Sequence, residues 1–293
     1  MRRWPSSPWA RTSTPITTRS PPRSTSCSRR STPPSTRASR APDVPPVRLD
    51  AALVSRGLAR SRGQASDLIA AGHVTVNGRV ARKASSPVAD GDTIIAETDP
   101  WVSRAAHKLL GALDASGTDV AGFRALDAGA STGGFTQVLL ARGASHVTAV
   151  DVGHGQLAEP VASDPRVTSH EGLNLRDLTP EHVGEPVDLV VADVSFISLT
   201  LLVGPLRSVA RDGATALLMV KPQFELGRDA LDSRGVVADA SRVPEAVDLV
   251  ARAAADAGWR EVWRGMSPLP GESGNREVFL ELVAEPGGVG PAR

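Results

Sequence analysis

Residues Ala125 to Phe135 read Ala-Leu-Asp-Ala-Gly-Ala-Ser-Thr-Gly-Gly-Phe, and this stretch decides the fold. A short apolar run, Arg124-Ala125-Leu126, leads into Asp127. A loop of small residues follows, with Gly129, Gly133 and Gly134. Then comes a helical pattern from Phe135 to Arg142, which Gly143 stops. Strand, glycine-rich turn and helix are the opening of a doubly wound α/β domain. The glycines remove side chains so that a ligand can lie against the backbone, and the helix N-terminus offers free N–H groups. Further on, His146-Val-Thr-Ala-Val-Asp151 reads as a second strand ending in an acid, placed to hold two ribose hydroxyls. The stretch points to a nucleoside-bearing cofactor.

The loop also discriminates between cofactors. A dinucleotide fingerprint reads G-x-G-x-x-G. Here the pattern is Asp127-x-Gly129-x-x-x-Gly133, with an acid where the first glycine would stand. An acid there repels a pyrophosphate and attracts the positively charged amino-acid end of S-adenosylmethionine. A S-adenosylmethionine site is the leading reading. Another nucleotide site and an ordinary β–α turn are the alternatives.

The 293 residues suffice for one large or two smaller domains. The sequence has no apolar run long enough to span a bilayer. A single cysteine, Cys27, excludes a disulfide framework and a cysteine-based zinc site, which suits the cytoplasm. Charge is unevenly spread. Residues 1–47 hold nine Arg and one Asp, so the remainder is net acidic and must meet any polyanion through local basic patches. Residues 1–46 are rich in Arg, Ser, Thr and Pro, with no aliphatic pattern to offset chain entropy, and are expected to be disordered. A basic RNA-binding arm and a wrongly assigned upstream start codon are the alternatives. The segment lacks the apolar core of a signal peptide.

Residues 47–97 form a small α+β unit. Val47 to Arg56 is helical, with Gly57 as its stop. Ser61 can cap a second helix, Arg62 to Ala71, closed by Gly72. Residues His73 to Val80 alternate about Asn77-Gly78, a strong hairpin signal, and Val88 to Ile95 supplies a last strand. Arg56, Arg60, Arg62, Arg79, Arg82 and Lys83 cluster at helix starts and strand ends. They form either a solvated charged face or a phosphate-contacting surface. The segment resembles the S4 RNA-binding domain through Arg48-Leu49-Asp50, Gly57, Ser61-Arg62, Ala65, Leu68-Ile69, Gly72-x-Val74-x-Val76-Asn77-Gly78 and Val88-x-x-Gly91-Asp92. That resemblance implies binding of structured RNA through shape and phosphates.

Residues 98–103 read as a linker, marked by Asp99-Pro100. Residues 104–284 read as the cofactor domain. Ser103 can cap a helix through Ala115 that carries Lys108. Strands and helices then alternate: Arg166 to His170, Pro186 to Asp193 and Thr215 to Lys221 as further strands, a helix from Pro244 to Ala257 capped by Ser241, a strand from Glu261, and Glu277 to Val283 closing a sheet of seven strands. Asn174 follows the third strand, within reach of an adenine edge. The tail 285–293 is rich in Pro and Gly and is expected to be disordered, without the extra helix of longer relatives. Asp127, Asp151, Asp193 and Lys221 all fall at strand C-terminal ends, where open α/β sheets bind ligands.

Residues 101–283 resemble the heat-shock-type ribose 2′-O-methyltransferases, whose Lys-Asp-Lys-Glu constellation maps onto Lys108, Asp193, Lys221 and Glu277. With the S4 segment in front, residues 47–283 resemble the TlyA family. The shared stretches are Trp101-Val-Ser-Arg-x-x-His-Lys108-Leu, Leu126 to Thr136, Val187-Asp-Leu-Val-Val-Ala-Asp193-x-Ser-Phe-Ile-Ser-Leu, Val220-Lys-Pro-Gln-Phe-Glu225, Gly235-Val-Val and Ser267 to Glu277. The resemblance implies a Rossmann-like class I methyltransferase that modifies cytidine ribose 2′-hydroxyls of ribosomal RNA, large-subunit RNA in the shorter members. Members are also labelled haemolysins. It makes Lys221 the base, helped by a neighbouring Lys108, with Lys108, Asp193 and Glu277 orienting Lys221 and the ribose. Asp127, Gly129, Ser131, Thr132, Gly133, Gly134, Asp151, Asn174 and Asp193 would hold the cofactor, with no metal required. Phe196 or Phe224 could stack on a base, although core packing is the commoner fate of Phe. A membrane-lytic protein and a non-catalytic RNA-binding assembly factor are the competing functions, and S4 domains also precede pseudouridine synthases.

Overall fold

The structure is a computed structural model that describes residues 46–59, 61–97 and 99–287. The expectations of disorder for 1–46 and 285–293 fall almost wholly outside it. The described residues divide into two compact units, with the boundary between Pro100 and Trp101.

The smaller unit runs β1 (Val47–Arg48), α1 (Leu49–Ser55), α2 (Arg62–Ala71), β2 (Val74–Val76), β3 (Arg79–Val80), β4 (Pro87–Val88) and β5 (Ile94–Ala96). Leu49, Leu53, Ala65, Ile69, Val74 and Val88 form its core. Ser61 caps α2 by accepting from the Gln64 N–H at 3.2 Å. Asn77 and Gly78 both have positive φ, as a tight two-residue hairpin turn requires, and Val76 pairs with Arg79 across it. Two expectations are corrected. Val47 and Arg48 are not helical but pair with Val88 and Pro87. The last strand is therefore two pieces, because Pro87-Val88 serves β1 while Ile94–Ala96 serves β2.

The larger unit runs α3 (Ala105–Ser116), β6 (Arg124–Ala128), α4 (Gly134–Ala141), β7 (His146–Asp151), α5 (Glu159–Ala162), β8 (Val167–Glu171), α6 (Pro180–Val183), β9 (Val187–Ala192), α7 (Val203–Val209), β10 (Ala210–Val220), α8 (Pro222–Glu225), α9 (Val243–Asp256), β11 (Trp259–Met266) and β12 (Val278–Ala284). Seven strands form one sheet in the order β11-β12-β10-β9-β6-β7-β8. The five from β10 to β8 are parallel, and β12 is antiparallel to both of its neighbours. The central strands are apolar on both faces because both faces are covered. Ala125, Val147, Leu189, Val191, Leu217 and Phe279 pack on the side of α3 and α4. Leu126, Val150, Val190, Leu218 and Leu280 pack on the other side. There α9 buries Val243, Ala246, Val247, Val250 and Ala254, one stripe at helical spacing.

Local differences from expectation have physical reasons. Ser103 does not cap α3; its carbonyl accepts from the Ala106 N–H, and Arg104 is the N-cap residue. Ser241 does not cap α9 but lies in a short 3-10 turn, where its own N–H donates to Asp239 Oδ1 at 2.9 Å. Pro222 ends β10 and also begins α8, because its fixed φ suits a first helical turn.

The chain makes β6, β7 and β8 outward on one side, then returns to lay β9 on the other side of β6. The order reverses between β6 and β9, which is where such sheets open a ligand crevice.

Candidate active site

The residues that leave β6 and β9 run unusually close together. A Cβ on Gly129 would lie 2.8 Å from the Asp193 carbonyl oxygen, and Gly129 has φ +84, so only glycine fits. Gly133, also left-handed, would push a Cβ against Leu157 and Val161. The loop is thereby pressed flat against the sheet edge and leads into α4. Beside it opens a cleft of about 700 Å³ that reaches Lys108, Asp193, Lys221 and Glu277.

The four charged residues arrive from four directions. Lys108 sits on the inner face of α3, Asp193 follows β9, and Lys221 follows β10. Glu277 precedes β12. Because β12 runs antiparallel, the residue before it reaches the edge that the other strands reach at their ends. The structure joins them as two ion pairs. Lys108 Nζ donates to Glu277 Oε2 at 2.6 Å, both groups nearly inaccessible to water. Lys221 Nζ lies 2.7 Å from Asp193 Oδ1 and donates to Ser195 Oγ at 2.8 Å. Lys108 was expected to press its charge on Lys221. It is instead neutralised by Glu277, while Asp193 and Ser195 hold Lys221. Ser195 was not singled out from sequence, although it stands two residues after Asp193 in the shared stretch.

Of the expected cofactor residues, Gly129, Ser131, Thr132, Gly134 and Asp193 line the cleft, and Asp127, Gly133, Asp151 and Asn174 do not. Asp127 is fully buried, and its Oδ2 accepts from Thr136 Oγ1 at 2.6 Å. Its Oδ1 has no hydrogen-bond partner among the described residues. Burial pushes this carboxyl up to about 7, against the Thr136 hydrogen bonds and with help from the negative charges of Asp193 and Asp151. A buried carboxylate oxygen without a donor suits a cationic ligand group, and the N-terminus of α4 suits an anionic one. An amino acid carries both, so the residues present fit the amino-acid end of S-adenosylmethionine. Asp151 closes the loop on itself: its oxygens accept from the Ser131 and Gly153 N–H groups, both at 2.8 Å. Asn174 Oδ1 accepts from the Arg176 N–H and caps a short 3-10 turn. Val152, missed from sequence, is an apolar residue 67% exposed beside Asp151. No group of His, Cys, Asp and Glu arranged to hold a metal occurs among the described residues.

Core packing was the expected fate of Phe196, and this is corrected. Phe196 is 91% exposed, has φ +65 and lines the cleft. A non-glycine residue in the left-handed region is uncommon, and an exposed aromatic there is rarer still. Its ring lies 5.3 Å from that of Phe224, tilted by 49°.

The basic residues of the smaller unit do not share one fate. Arg56 donates to the carbonyls of Ala89, Asp90 and Asp92 and braces a turn. Arg62 donates to Asp50, which Arg48 also grips and whose carboxyl is held far below the usual range. Arg79, Arg82 and Lys83 are exposed. Arg60 lies outside the described residues.

Comparison with known proteins bears on this arrangement. Residues 101–283 match the family described as FtsJ-like methyltransferase, and residues 47–94 match the S4 domain. The chain is 53% identical over 238 residues to the 16S/23S rRNA (cytidine-2′-O)-methyltransferase TlyA of Mycobacterium tuberculosis, a match covering 80% of this chain and 89% of that protein. It is 36% identical over 239 residues to Hemolysin A of Brachyspira hyodysenteriae, covering 81% of this chain and 100% of the other. A solved, hemolysin-labelled structure from Streptococcus thermophilus superposes with a TM-score of 0.64 at 35% identity, over 83% of this chain and 90% of that one.

Proposed function

The chain belongs to the TlyA family of FtsJ-like methyltransferases, and from that premise we propose that it methylates cytidine ribose 2′-hydroxyls in ribosomal RNA, with its S4 domain docking on folded RNA. The observation that carries the reading is the meeting of two lysine–carboxylate pairs in one crevice, next to a buried aspartate oxygen without a donor. S-adenosylmethionine supplies, when bound, a methyl group on a positively charged sulfur. Asp127, Gly129, Ser131 to Gly134 and Asp151 hold it, with Asn174 and Asp193 at the edges of that site.

A 2′-hydroxyl is a weak nucleophile and must lose its proton as it attacks. Lys221 is the group placed to take that proton. An ammonium has three N–H bonds. Ser195 takes one, Asp193 stands beside the nitrogen as counter-ion, and the rest of the nitrogen faces the cleft. As the free amine, Lys221 accepts the hydroxyl proton on its nitrogen lone pair. Lys108 and Glu277, locked together in a dry pair, form a rigid wall that positions the ribose. Holding the partners in line supplies a large share of the acceleration. Phe196 offers its exposed ring as a platform for a base taken out of its stack, with Phe224 behind it. Arg79, Arg82 and Lys83, the exposed basic residues of the smaller unit, contact phosphates. Such a protein works where ribosomes are, in the cytoplasm.

Purified protein incubated with labelled cofactor and separated ribosomal subunits tests the reading. Wild type transfers label to RNA, and Lys221→Ala lowers transfer by at least about 100-fold. Equal transfer by the two would refute the mechanism. The lytic alternative has no helix among the described residues long and apolar enough to cross a membrane. Leakage of liposomes by the pure protein would revive it.

A further inference from the structure

Glu225 takes no part in the chemistry above, yet it ties the two central strand exits together. It ends α8, one turn after Lys221, and so belongs to the exit of β10. Its side chain crosses to the exit of β9. Ser198 Oγ donates to Glu225 Oε2 at 2.5 Å, and the Leu199 N–H donates to Oε1 at 3.0 Å. Ser198 is further fixed by its contact with Thr200 Oγ1 at 2.6 Å. The segment held in this way is Asp193 to Leu199, which carries Asp193, Ser195 and Phe196. Phe196 needs outside support, because a left-handed aromatic persists only where its surroundings over-determine it. The residue before Glu225 supplies more of that support, since Phe224 lies against the Phe196 ring.

We propose that Glu225 is a positioning residue: it staples residues 198–199 to the Lys221 turn, and so fixes Phe196, Ser195 and Asp193 in register with the lysine they serve. The inference rests on the methyltransferase reading. The cofactor half of the site stands mainly on the exits of β6 and β7, and Asp193 is the one residue it shares with the stapled segment. Loss of Glu225 therefore acts on the transfer step and leaves cofactor affinity intact. A mere folding role would weaken both together. Burial raises the Glu225 carboxyl, consistent with a group enclosed for its hydrogen bonds rather than for its charge. A glutamine can accept from the Leu199 N–H and donate to a rotated Ser198 hydroxyl.

The test measures kcat, KM for ribosomal RNA and the dissociation constant for S-adenosylmethionine in wild type, Glu225→Ala, Glu225→Gln, Phe196→Ala and the double variant Phe196→Ala/Glu225→Ala. Glu225→Ala is expected to lower kcat about 30-fold with cofactor affinity within about twofold of wild type, and Glu225→Gln to recover most of the loss. The double variant is expected to lose little more than the worse single variant, because both act on one segment. The inference is overturned if Glu225→Ala keeps wild-type kcat, if cofactor affinity falls in step with kcat, or if the two losses add fully. Should Glu225→Ala fail to fold, Ser198→Ala removes the same bond from the other side and is held to the same outcomes. A wild type that transfers no methyl group at all would instead sink the methyltransferase reading, and this inference with it.

Discussion

Lys108 Nζ and Glu277 Oε2 lie 2.6 Å apart although 169 residues separate them in the chain, and both side chains are almost wholly out of water. A buried pair of this kind is a weak source of net stability, but breaking it leaves a bare charge inside. Glu277→Ala is expected to cost about 3–5 kcal/mol, read as a fall in melting temperature. The double replacement Lys108→Met/Glu277→Met should return stability close to wild type while methyl transfer stays down by about 100-fold. If stability and transfer recover together, the pair is structural only.

Asp127 sets a pH dependence. Its folded carboxyl stands at about 7, so below that pH the neutral acid dominates, whereas a cationic ligand group selects the ionised form. Affinity for S-adenosylmethionine is expected to weaken about tenfold for each pH unit below 7 and to level off above it. Linkage gives the stability of the ligand-free protein the opposite sign. The folded state holds this proton more tightly than the unfolded chain, so stability falls as pH climbs from the ordinary 3.8 towards about 7. Asp127→Asn should bind weakly, flatten the affinity profile and remove that fall. Titration calorimetry and thermal melts across pH measure the two effects separately.

The basic residues of the smaller unit are expected to separate by assay. Neutralising Arg79, Arg82 and Lys83 together should weaken RNA binding and lower the slope of log affinity against log salt by about two. Arg56→Ala should instead loosen the turn at Ala89 to Asp92, showing as lost thermal stability with less change in slope.

Arg207 is a structural counterpart far from the crevice. It is 4% exposed and donates to the carbonyls of Ala210, Gly258 and Glu285 and to Asp212, with its guanidinium 5.9 Å from the Trp259 ring. Arg207→Met strands these acceptors and is expected to cost about 3 kcal/mol. Melting temperature should fall with no change in cofactor affinity once the protein is folded.

Much of this was legible beforehand, for reasons that differ by residue. Strands β6, β7 and β9 announce themselves as apolar runs ending in an acid, and the Asn77-Gly78 turn carries its own backbone requirement. The start of β10 was not visible, because Asp212-Gly213 looks like a turn and the strand absorbs it through a break in register between Ala210 and Thr215. The split of the last S4 strand was hidden because it depends on a partner, β1, some 40 residues earlier. The charges of Arg56 and Arg62 could be read, but their internal acceptors could not. The exposure of Phe196 was missed because composition predicts the average Phe, whereas a positive φ and the Glu225 staple decide this one.

The reversed direction of β12 has one more consequence. Because that strand enters the sheet from the crevice side, the turn 267–276 before it ends at Glu277, next to the place where a polynucleotide would lie. Its length is not tied to the register of the parallel strands. A residue inserted into this turn is therefore expected to change how RNA is gripped while the strands that hold the methyl donor stay as they are.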